Sequence, residues 1–200
     1  MALVETDVRV TTPARILDAT FRALQDFGLS RLTVEDVAQR AGLSRQTVYR
    51  YFPSKDHLMM ALVSREEETF LDGVKAAFAE NEELGGAIEA STRFVLTFAH
   101  EHPLLDRLLE ADQQAFLPYV TTRSLPMIVS ARETMLKLLM ERAPGADEQF
   151  IRTVVDGTTR AIVSYMLTPS DRSTDEIVHA ISALIGAALR PRPTPKGATP

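Results

Sequence analysis

Apolar residues along the chain recur at intervals of three and four, the period of helices that bury one face. Helix-length segments of this kind occupy roughly residues 86–101, 104–117, 125–142, 147–167 and 174–189, with glycine or proline between them. No run of strand length alternates apolar and polar residues between turn signals. The pattern predicts an all-α protein with about nine helices.

The N-terminal part of the chain predicts a first helix of about four turns and a short second helix, both with clear ends. Pro13 suits the first turn of the first helix, and Gly28 suits the residue after its last turn. Thr33 predicts the N-cap of the second helix, with Asp36 at the capping-box position. Gly42 then ends this second helix, because glycine readily adopts the left-handed conformation of a C-terminal cap.

A short third helix and a long fourth helix follow. Ser44 caps the third helix, which ends before Pro53 because proline disfavours helical geometry in the preceding residue. Ser54 caps the fourth helix, which is predicted to run from Lys55 to Ala79. The second and third helices are separated by only Ala41-Gly42-Leu43, so they form a helix-turn-helix, a motif that usually holds DNA.

The composition excludes several classes of protein. The 200 residues include no cysteine, which excludes disulfides and thiolate metal sites and agrees with a reducing cytoplasm. No secretory signal and no run of about 18 apolar residues is present, so we expect a cytoplasmic protein without a membrane partner. The tail from Arg190, RPRPTPKGATP, is rich in proline and lacks large apolar side chains, which predicts disorder over 190–200.

The net charge of −5 is unevenly distributed along the chain. Residues 1–60 hold eight Lys and Arg against seven Asp and Glu, whereas the remainder holds 14 against 20. Between Arg40 and Lys55 there are four cations and no acid. This local basic patch suits a polyanion although the whole chain is acidic.

The predicted third helix carries side chains that can read and hold DNA. Arg45 and Gln46 can form paired hydrogen bonds with purine edges, and the methyl group of Thr47 can pack on a thymine methyl. The other candidate DNA-binding residues carry hydroxyls or charge, or lie at helix N-termini that favour an anion: Thr33, Ser44, Tyr49, Arg50, Tyr51 and Lys55. Purely structural roles are also common for such residues. Thr33 and Ser44 would cap helices in any protein, and tyrosines on short helices are often half-buried in packing contacts.

Residues 12–62 resemble the TetR family of bacterial transcriptional regulators. The resemblance lies in the turn Ala41-Gly42, in Thr47 followed by Tyr49, and in Tyr51-Phe52-Pro53-Ser54-Lys55. It implies a homodimer in which each chain has an N-terminal three-helix DNA-binding domain and a larger helical effector domain. It also implies a repressor that a small molecule releases from a palindromic double-stranded operator.

The resemblance also implies roles for particular residues and segments. Base contacts fall to Arg45, Gln46 and Thr47, and phosphate contacts to Thr33, Tyr49 and Lys55, whereas Arg50 and Tyr51 lie at positions that vary in the family. We therefore predict four segments: an N-terminal arm and DNA-binding domain at 1–54, a connecting helix at 55–79, an effector-binding and dimerisation domain at 80–189, and the tail.

The last two predicted helices carry apolar stripes that a dimer interface would need. The resemblance implies that these helices pair with their copies in a second subunit, and the candidate interface residues are Val155, Ile162, Ile177, Ile181, Leu184 and Ile185. The stripes alone also allow the alternative that they close the core of one chain.

An effector pocket is expected among the helices between residues 86 and 168. Candidate walls are the aromatic and methionine side chains Phe94, Phe98, Phe116, Tyr119, Met127, Met135, Tyr165 and Met166. Candidate polar contacts are Arg93, Gln113, Asp156 and Thr159. Plain core is the more common role of such apolar residues, and exposed faces or interface salt bridges explain the polar ones at least as well.

Enzymatic and metal-binding interpretations are weaker. Glu176 and His179 form one Glu-x-x-His, but a helical di-iron site needs two. His100 and His102 are two residues apart, on nearly opposite sides of a helix, and Glu66-Glu67-Glu68 is typical of a solvated face. No catalytic triad signature or phosphate-binding glycine loop is present, so we expect neither an enzyme nor a cofactor. A second alternative is a helical adaptor whose N-terminal bundle binds a protein.

Overall fold

The computed structural model of the chain describes residues 11–104, 112, 114–115, 125–168 and 170–190. Every regular element within these residues is a helix. Eight helices have both ends within the described residues: α1 (Thr12–Phe27), α2 (Val34–Ala41), α3 (Arg45–Tyr51), α4 (Lys55–Ala79), α5 (Leu84–Glu101), α6 (Leu125–Arg142), α7 (Glu148–Leu167) and α8 (Thr174–Ala188). The all-α prediction is confirmed. The predicted helix at 104–117 lies mostly outside the described residues. Residues 1–10 and 191–200 lie wholly outside them.

The predicted helix caps of the N-terminal part are confirmed. At α2, the amide of Asp36 donates to Thr33 Oγ1 over 3.2 Å, and the amide of Thr33 donates to Asp36 Oδ2 over 3.0 Å. At α3, the amide of Thr47 donates to Ser44 Oγ over 3.1 Å. Gly42 ends α2 in the left-handed conformation with φ 63°. Local capping chemistry therefore fixes where the helix-turn-helix begins and turns.

The described chain divides into two compact units. The first holds residues 11–66 together with Pro103, Leu104, Asp112 and 114–115, and the second holds the remaining described residues. Helix α4 begins in the first unit and ends in the second. The division into compact units does not show which residues bind DNA or an effector. The functional boundaries predicted at residues 54 and 79 therefore stay predictions.

The core of the first unit holds the short helices in place. Helix α1 packs on α2, and α2 packs on α3. The fully buried side chains include Ile16 and Leu24 of α1, Val37 of α2, Val48 of α3 and Leu58 of α4. Burial of one apolar stripe per helix leaves the opposite faces to solvent. The face of α3 opposite Val48 is thereby exposed.

The second unit has a separate apolar core. Helix α8 packs on α5 and α7, and α6 packs on α7. Its buried residues include Phe78, Ile88, Leu96, Leu139 and Ile151. No helix of the described part combines the length and the apolar character that crossing a bilayer demands.

Candidate nucleic-acid interface

Helix α3 presents a row of exposed polar side chains. Val48 is fully buried, whereas Arg45, Gln46 and Arg50 are exposed and Thr47 is partly exposed. Tyr49 is 37% exposed. Because the single buried residue anchors the helix from behind, the polar side chains extend from a fixed support. This arrangement suits a helix that enters a DNA groove.

The guanidinium of Arg45 is held between two neighbours. Arg45 Nη1 lies 3.3 Å from Glu35 Oε2, and Arg45 Cζ lies 5.5 Å from the centroid of the Tyr49 ring. Tyr49, through hydrogen bonding and then electrostatic interaction, and after it the negative charge of Glu35 raise the pKa of Arg45 above its ordinary value. The arginine is therefore a permanent cation with a preferred orientation at the start of α3.

The other residues predicted on α3 also lie at its exposed side. Arg50 Cζ lies 5.2 Å from the centroid of the Tyr51 ring, so this pair stacks at the end of the helix. The hydroxyls of Ser44 and Thr47 lie 2.8 Å apart at its start. The structure therefore brings Ser44, Arg45 and Thr47 together at one end of α3. Arg50 and Tyr51 lie at the other end.

Thr33 is hydrogen-bonded to Asp36 in the structure. Both its amide and its hydroxyl donate to Asp36 Oδ2. These hydrogen bonds from Thr33 lower the pKa of Asp36 below its ordinary value. A phosphate could use the Thr33 hydroxyl as a donor only by replacing Asp36 as its acceptor, so the predicted phosphate contact requires a change of partner.

Lys55 pins the loop between α1 and α2, residues 28–32, to the start of α4. Its Nζ donates to the carbonyl of Leu29 over 2.7 Å and to that of Leu32 over 2.8 Å. Burial lowers the pKa of Lys55, and the charges of Asp112 and Asp56 oppose that shift. Two of the three ammonium donors are used, which leaves one for the predicted phosphate contact.

Asp112 holds the same loop from a distant part of the chain. The amide of Leu29 donates to Asp112 Oδ2 over 2.9 Å. The preceding Gly28 has φ 76°, and a Cβ atom at Gly28 would lie 2.0 Å from the same oxygen. The sequence contains no signal for this contact, because Leu29 and Asp112 are 83 residues apart. The loop 28–32 is thus fastened by both Lys55 and Asp112.

We expect Lys55→Met to destabilise the first unit besides removing a positive charge. The substitution leaves two partly buried carbonyls without their charged donor, which should lower the free energy of unfolding by about 1–3 kcal/mol. Urea unfolding followed by circular dichroism measures this. The matched control is Lys75→Met, because Lys75 pairs with Asp72 on an exposed surface and should change stability by under about 0.5 kcal/mol. Equal losses for both variants would contradict the pinning role.

Phe94 and Phe98, two of the predicted pocket walls, lie in an aromatic cluster of the second unit. Their ring centroids are 5.7 Å apart, and those of Phe70 and Phe98 are 5.3 Å apart. The ring of His102 lies 5.0 Å from that of Phe98. All four side chains are half-buried. Phe70 and His102 were not among the residues predicted for the pocket.

The other predicted pocket walls fall into two groups. Tyr165 and Met135 are partly buried against the core of the second unit. Phe116 and Tyr119 lie outside the described residues, and so do the side chains of Met127 and Met166.

Ion pairs account for two of the predicted polar pocket residues. Arg93 pairs with Glu89 and Asp175, and Asp156 accepts from Arg132 over 2.8 Å and from Arg160 over 2.8 Å. This is the alternative that the sequence left open for them. Thr159 is half-buried, and Gln113 lies outside the described residues.

Most of the residues predicted for a dimer interface are buried within one chain. Val155, Ile177, Ile181 and Ile185 are between 1% and 8% exposed and belong to the core of the second unit. Ile162 is partly buried against the same core. Leu184 differs, because it is 60% exposed. The four buried side chains therefore offer little surface to a second copy.

The Glu-x-x-His segment has a structural explanation. Glu176 Oε2 accepts from the amide of Ser173 over 2.8 Å, which completes a capping box at α8, and this bond lowers the pKa of Glu176. His179 is exposed. Across the described ranges, no group of three His, Cys, Asp or Glu side chains is placed to hold a metal ion.

Two family descriptions match the chain. Residues 16–62 match "Bacterial regulatory proteins, tetR family", and residues 83–187 match "Bacterial Tetracyclin repressor, C-terminal domain". The first match contains the whole helix-turn-helix, and the second contains α5, α6 and α7 and nearly all of α8. The similarity is thus not confined to the DNA-binding motif.

Curated relatives and solved structures agree with these matches. The chain is 34% identical over 82 residues to the nucleoid occlusion factor SlmA of Haemophilus ducreyi, which covers 41% of each protein. It is 31% identical over 132 residues to SlmA of Haemophilus influenzae strain PittGG, which covers 62% of this chain and 60% of that one. The chain therefore spans about two fifths to three fifths of these relatives.

The fold is shared with a solved regulator. The TetR family repressor AlkX from Dietzia sp. strain DQ12-45-1b superimposes with a TM-score of 0.69 at 22% identity, covering 91% of this chain and 99% of that one. At this level of identity the likeness concerns the fold alone.

Proposed function

The chain belongs to the TetR family of bacterial DNA-binding transcriptional regulators, and from that premise we propose that it is a repressor that binds a palindromic operator as a homodimer. The observation that carries the proposal is the exposed polar face of α3, anchored from behind by Val48. Arg45, Gln46 and Thr47 then contact base edges in the major groove. Tyr49, Arg50 and Tyr51 contact the sugar-phosphate backbone.

We infer the dimer surface from α8. Its buried stripe faces the core, and a second stripe on the same helix is exposed: Ala180, Ala183, Leu184 and Ala187. These residues stand at positions i, i+3, i+4 and i+7 of the helix and so lie on one continuous face, and the alanines allow another helix to approach closely. Two copies joined through this face would present two recognition helices, which must lie about 34–36 Å apart to read half-sites one DNA turn apart.

Release from DNA requires a ligand that distinguishes two states of the dimer, since a ligand with equal affinity for both shifts nothing. We propose that a small molecule contacts the aromatic cluster of Phe70, Phe94 and Phe98 in the second unit. Helix α4 extends from that unit into the first and is the proposed route of coupling. Coupling of about 1–3 kcal/mol would weaken operator binding by about 5–150-fold.

Selection of binding sites from a random duplex library tests the proposal. We expect enrichment of an inverted repeat, and an affinity for it that falls steeply as the salt concentration rises, because phosphate contacts release counterions. Binding that is insensitive to salt and sequence would instead favour the adaptor alternative, in which the N-terminal bundle docks on protein through apolar surface.

A nucleoid occlusion role is the second candidate function. The match to SlmA of Haemophilus influenzae favours it, because that match extends over 132 residues and so beyond the helix-turn-helix. Mapping of occupied sites across the genome separates the two candidates. A repressor occupies sites whose neighbouring transcripts rise when the gene is deleted, whereas unchanged transcripts beside the occupied sites favour the second role.

A further inference from the structure

Glu35 is an acidic residue on the surface proposed to face DNA. The first turn of α2 contains two acids, Glu35 and Asp36. Asp36 turns back to Thr33 in the capping box. Glu35 has no part in that cap: its side chain is 74% exposed, and its carboxylate lies beside Arg45. The carboxylate of Glu35 therefore lies next to the arginine that is proposed to read a base.

An exposed carboxylate at this position opposes non-specific DNA binding. Two like charges about 4 Å apart repel by about 1 kcal/mol even in bulk water, and DNA carries a phosphate charge about every 1.7 Å along its axis. The segment from Arg40 to Lys55, which contains Arg45, holds four cations and no acid. Glu35 thus lowers the affinity for any duplex unless a base offers its carboxylate a donor.

The geometry places Glu35 directly beside Arg45. Arg45 Nη1 and Glu35 Oε2 are 3.3 Å apart and form an ion pair, so the two side chains extend from the surface next to each other. Arginine has five N–H donors, so one bond to Glu35 leaves enough for the paired contact with the O6 and N7 atoms of guanine. A docking position that brings Arg45 to a base edge therefore brings the carboxylate of Glu35 into the same groove.

The chemistry of a carboxylate selects among the bases. An ionised carboxylate only accepts hydrogen bonds, and cytosine presents its N4 amine as the only polar group of its major-groove edge. Guanine presents two acceptors, thymine presents one beside its methyl group, and adenine has an acceptor next to its amine. Cytosine is therefore the base that Glu35 can bond without facing an acceptor.

We propose that Glu35 is a specificity-determining residue, which accepts a hydrogen bond from a cytosine N4 amine at the base pair next to the guanine read by Arg45. This inference rests on the proposed function, because it requires α3 to lie in the major groove of an operator. It adds a reader on α2 to those on α3.

Binding-site selection with matched variants of the full chain tests the inference. We expect the wild type to prefer cytosine over thymine at one position of each half-site by about 5–100-fold. Glu35→Gln should shift that position toward adenine, because an amide pairs with the N6 and N7 atoms of adenine. Glu35→Ala should remove the preference and bind scrambled duplex several-fold more tightly. Arg45→Ala should abolish the preference for guanine at the adjacent position.

Glu82→Gln is the matched control, because it removes one exposed carboxylate between α4 and α5 and should leave the selected motif unchanged. Identical motifs for the wild type, Glu35→Gln and Glu35→Ala would overturn the inference, even if the affinity for all DNA rose, since Glu35 would then act only as a charge. A wild type that selects no motif overturns the proposed function instead. Circular dichroism confirms that each variant is folded.

Discussion

Leu184→Glu is expected to convert the proposed homodimer into a monomer and to abolish its tight binding to the proposed operator. Leu184 is the largest side chain of the exposed stripe on α8 and is 60% exposed in one chain. A glutamate there would place two desolvated carboxylates, one from each copy, in an apolar interface. Losing the second half-site removes an avidity gain of about 10²–10⁴-fold. Sedimentation velocity at micromolar concentration measures the oligomeric state, and fluorescence anisotropy measures operator affinity.

Two controls isolate the effect of the interface. Leu184→Met keeps apolar bulk and should keep the dimer. Val129→Glu adds the same charge at an exposed apolar residue of α6, outside the proposed interface, and should leave both mass and affinity unchanged. A wild-type chain that sediments as a monomer with and without DNA would contradict the homodimer itself. A dimeric Leu184→Glu would place the interface elsewhere.

Helix positions were predictable because their signals are local. The bounds predicted for α4, Lys55–Ala79, and for the helix at 125–142 are those of the structure. Hydroxyl caps, glycine and proline act within one turn of the residues they affect, so neighbouring residues suffice to place a boundary. The same holds for the outward face of α3, which follows from its one buried valine and the spacing of a helix.

The faces of α8 were not predictable from its pattern. Ile177, Ile181 and Ile185 form one apolar stripe, and Ala183 and Leu184 lie on another. With two apolar faces on one helix, periodicity alone does not tell which packs inside the chain. Only the positions of α5 and α7 show that the isoleucines are core.

The partners of Lys55 and Leu29 were also beyond sequence reasoning. Lys55 places a positive charge at the start of α4, where the sequence predicted a phosphate contact. In the structure its ammonium group donates hydrogen bonds to two carbonyls of the loop 28–32. Asp112 reaches that loop across 83 residues of sequence. Such contacts depend on how distant segments pack, for which a single sequence contains no periodic or spacing signal.

Gly28→Ala is expected to destabilise the first unit strongly. Gly28 has φ 76° and ψ 174°, a backbone conformation that is essentially restricted to glycine. The added methyl group would also lie 2.0 Å from Asp112 Oδ2, so the carboxylate must leave the amide of Leu29. Backbone strain and the lost hydrogen bond together should lower the free energy of unfolding by about 2–5 kcal/mol. Urea unfolding followed by circular dichroism measures the loss.

The two contributions to the cost at Gly28 separate in a double-mutant cycle with Asp112→Ala. Without the carboxylate, the methyl group meets no oxygen and there is no hydrogen bond left to break, so Gly28→Ala should cost only the backbone strain of about 1–3 kcal/mol. Gly85→Ala is the matched control, because a Cβ atom there meets nothing within 4 Å and α5 should gain about 0.5–1 kcal/mol. Equal costs of Gly28→Ala in both backgrounds would show that Asp112 does not fasten the loop 28–32, because the coupling between the two residues would then be zero.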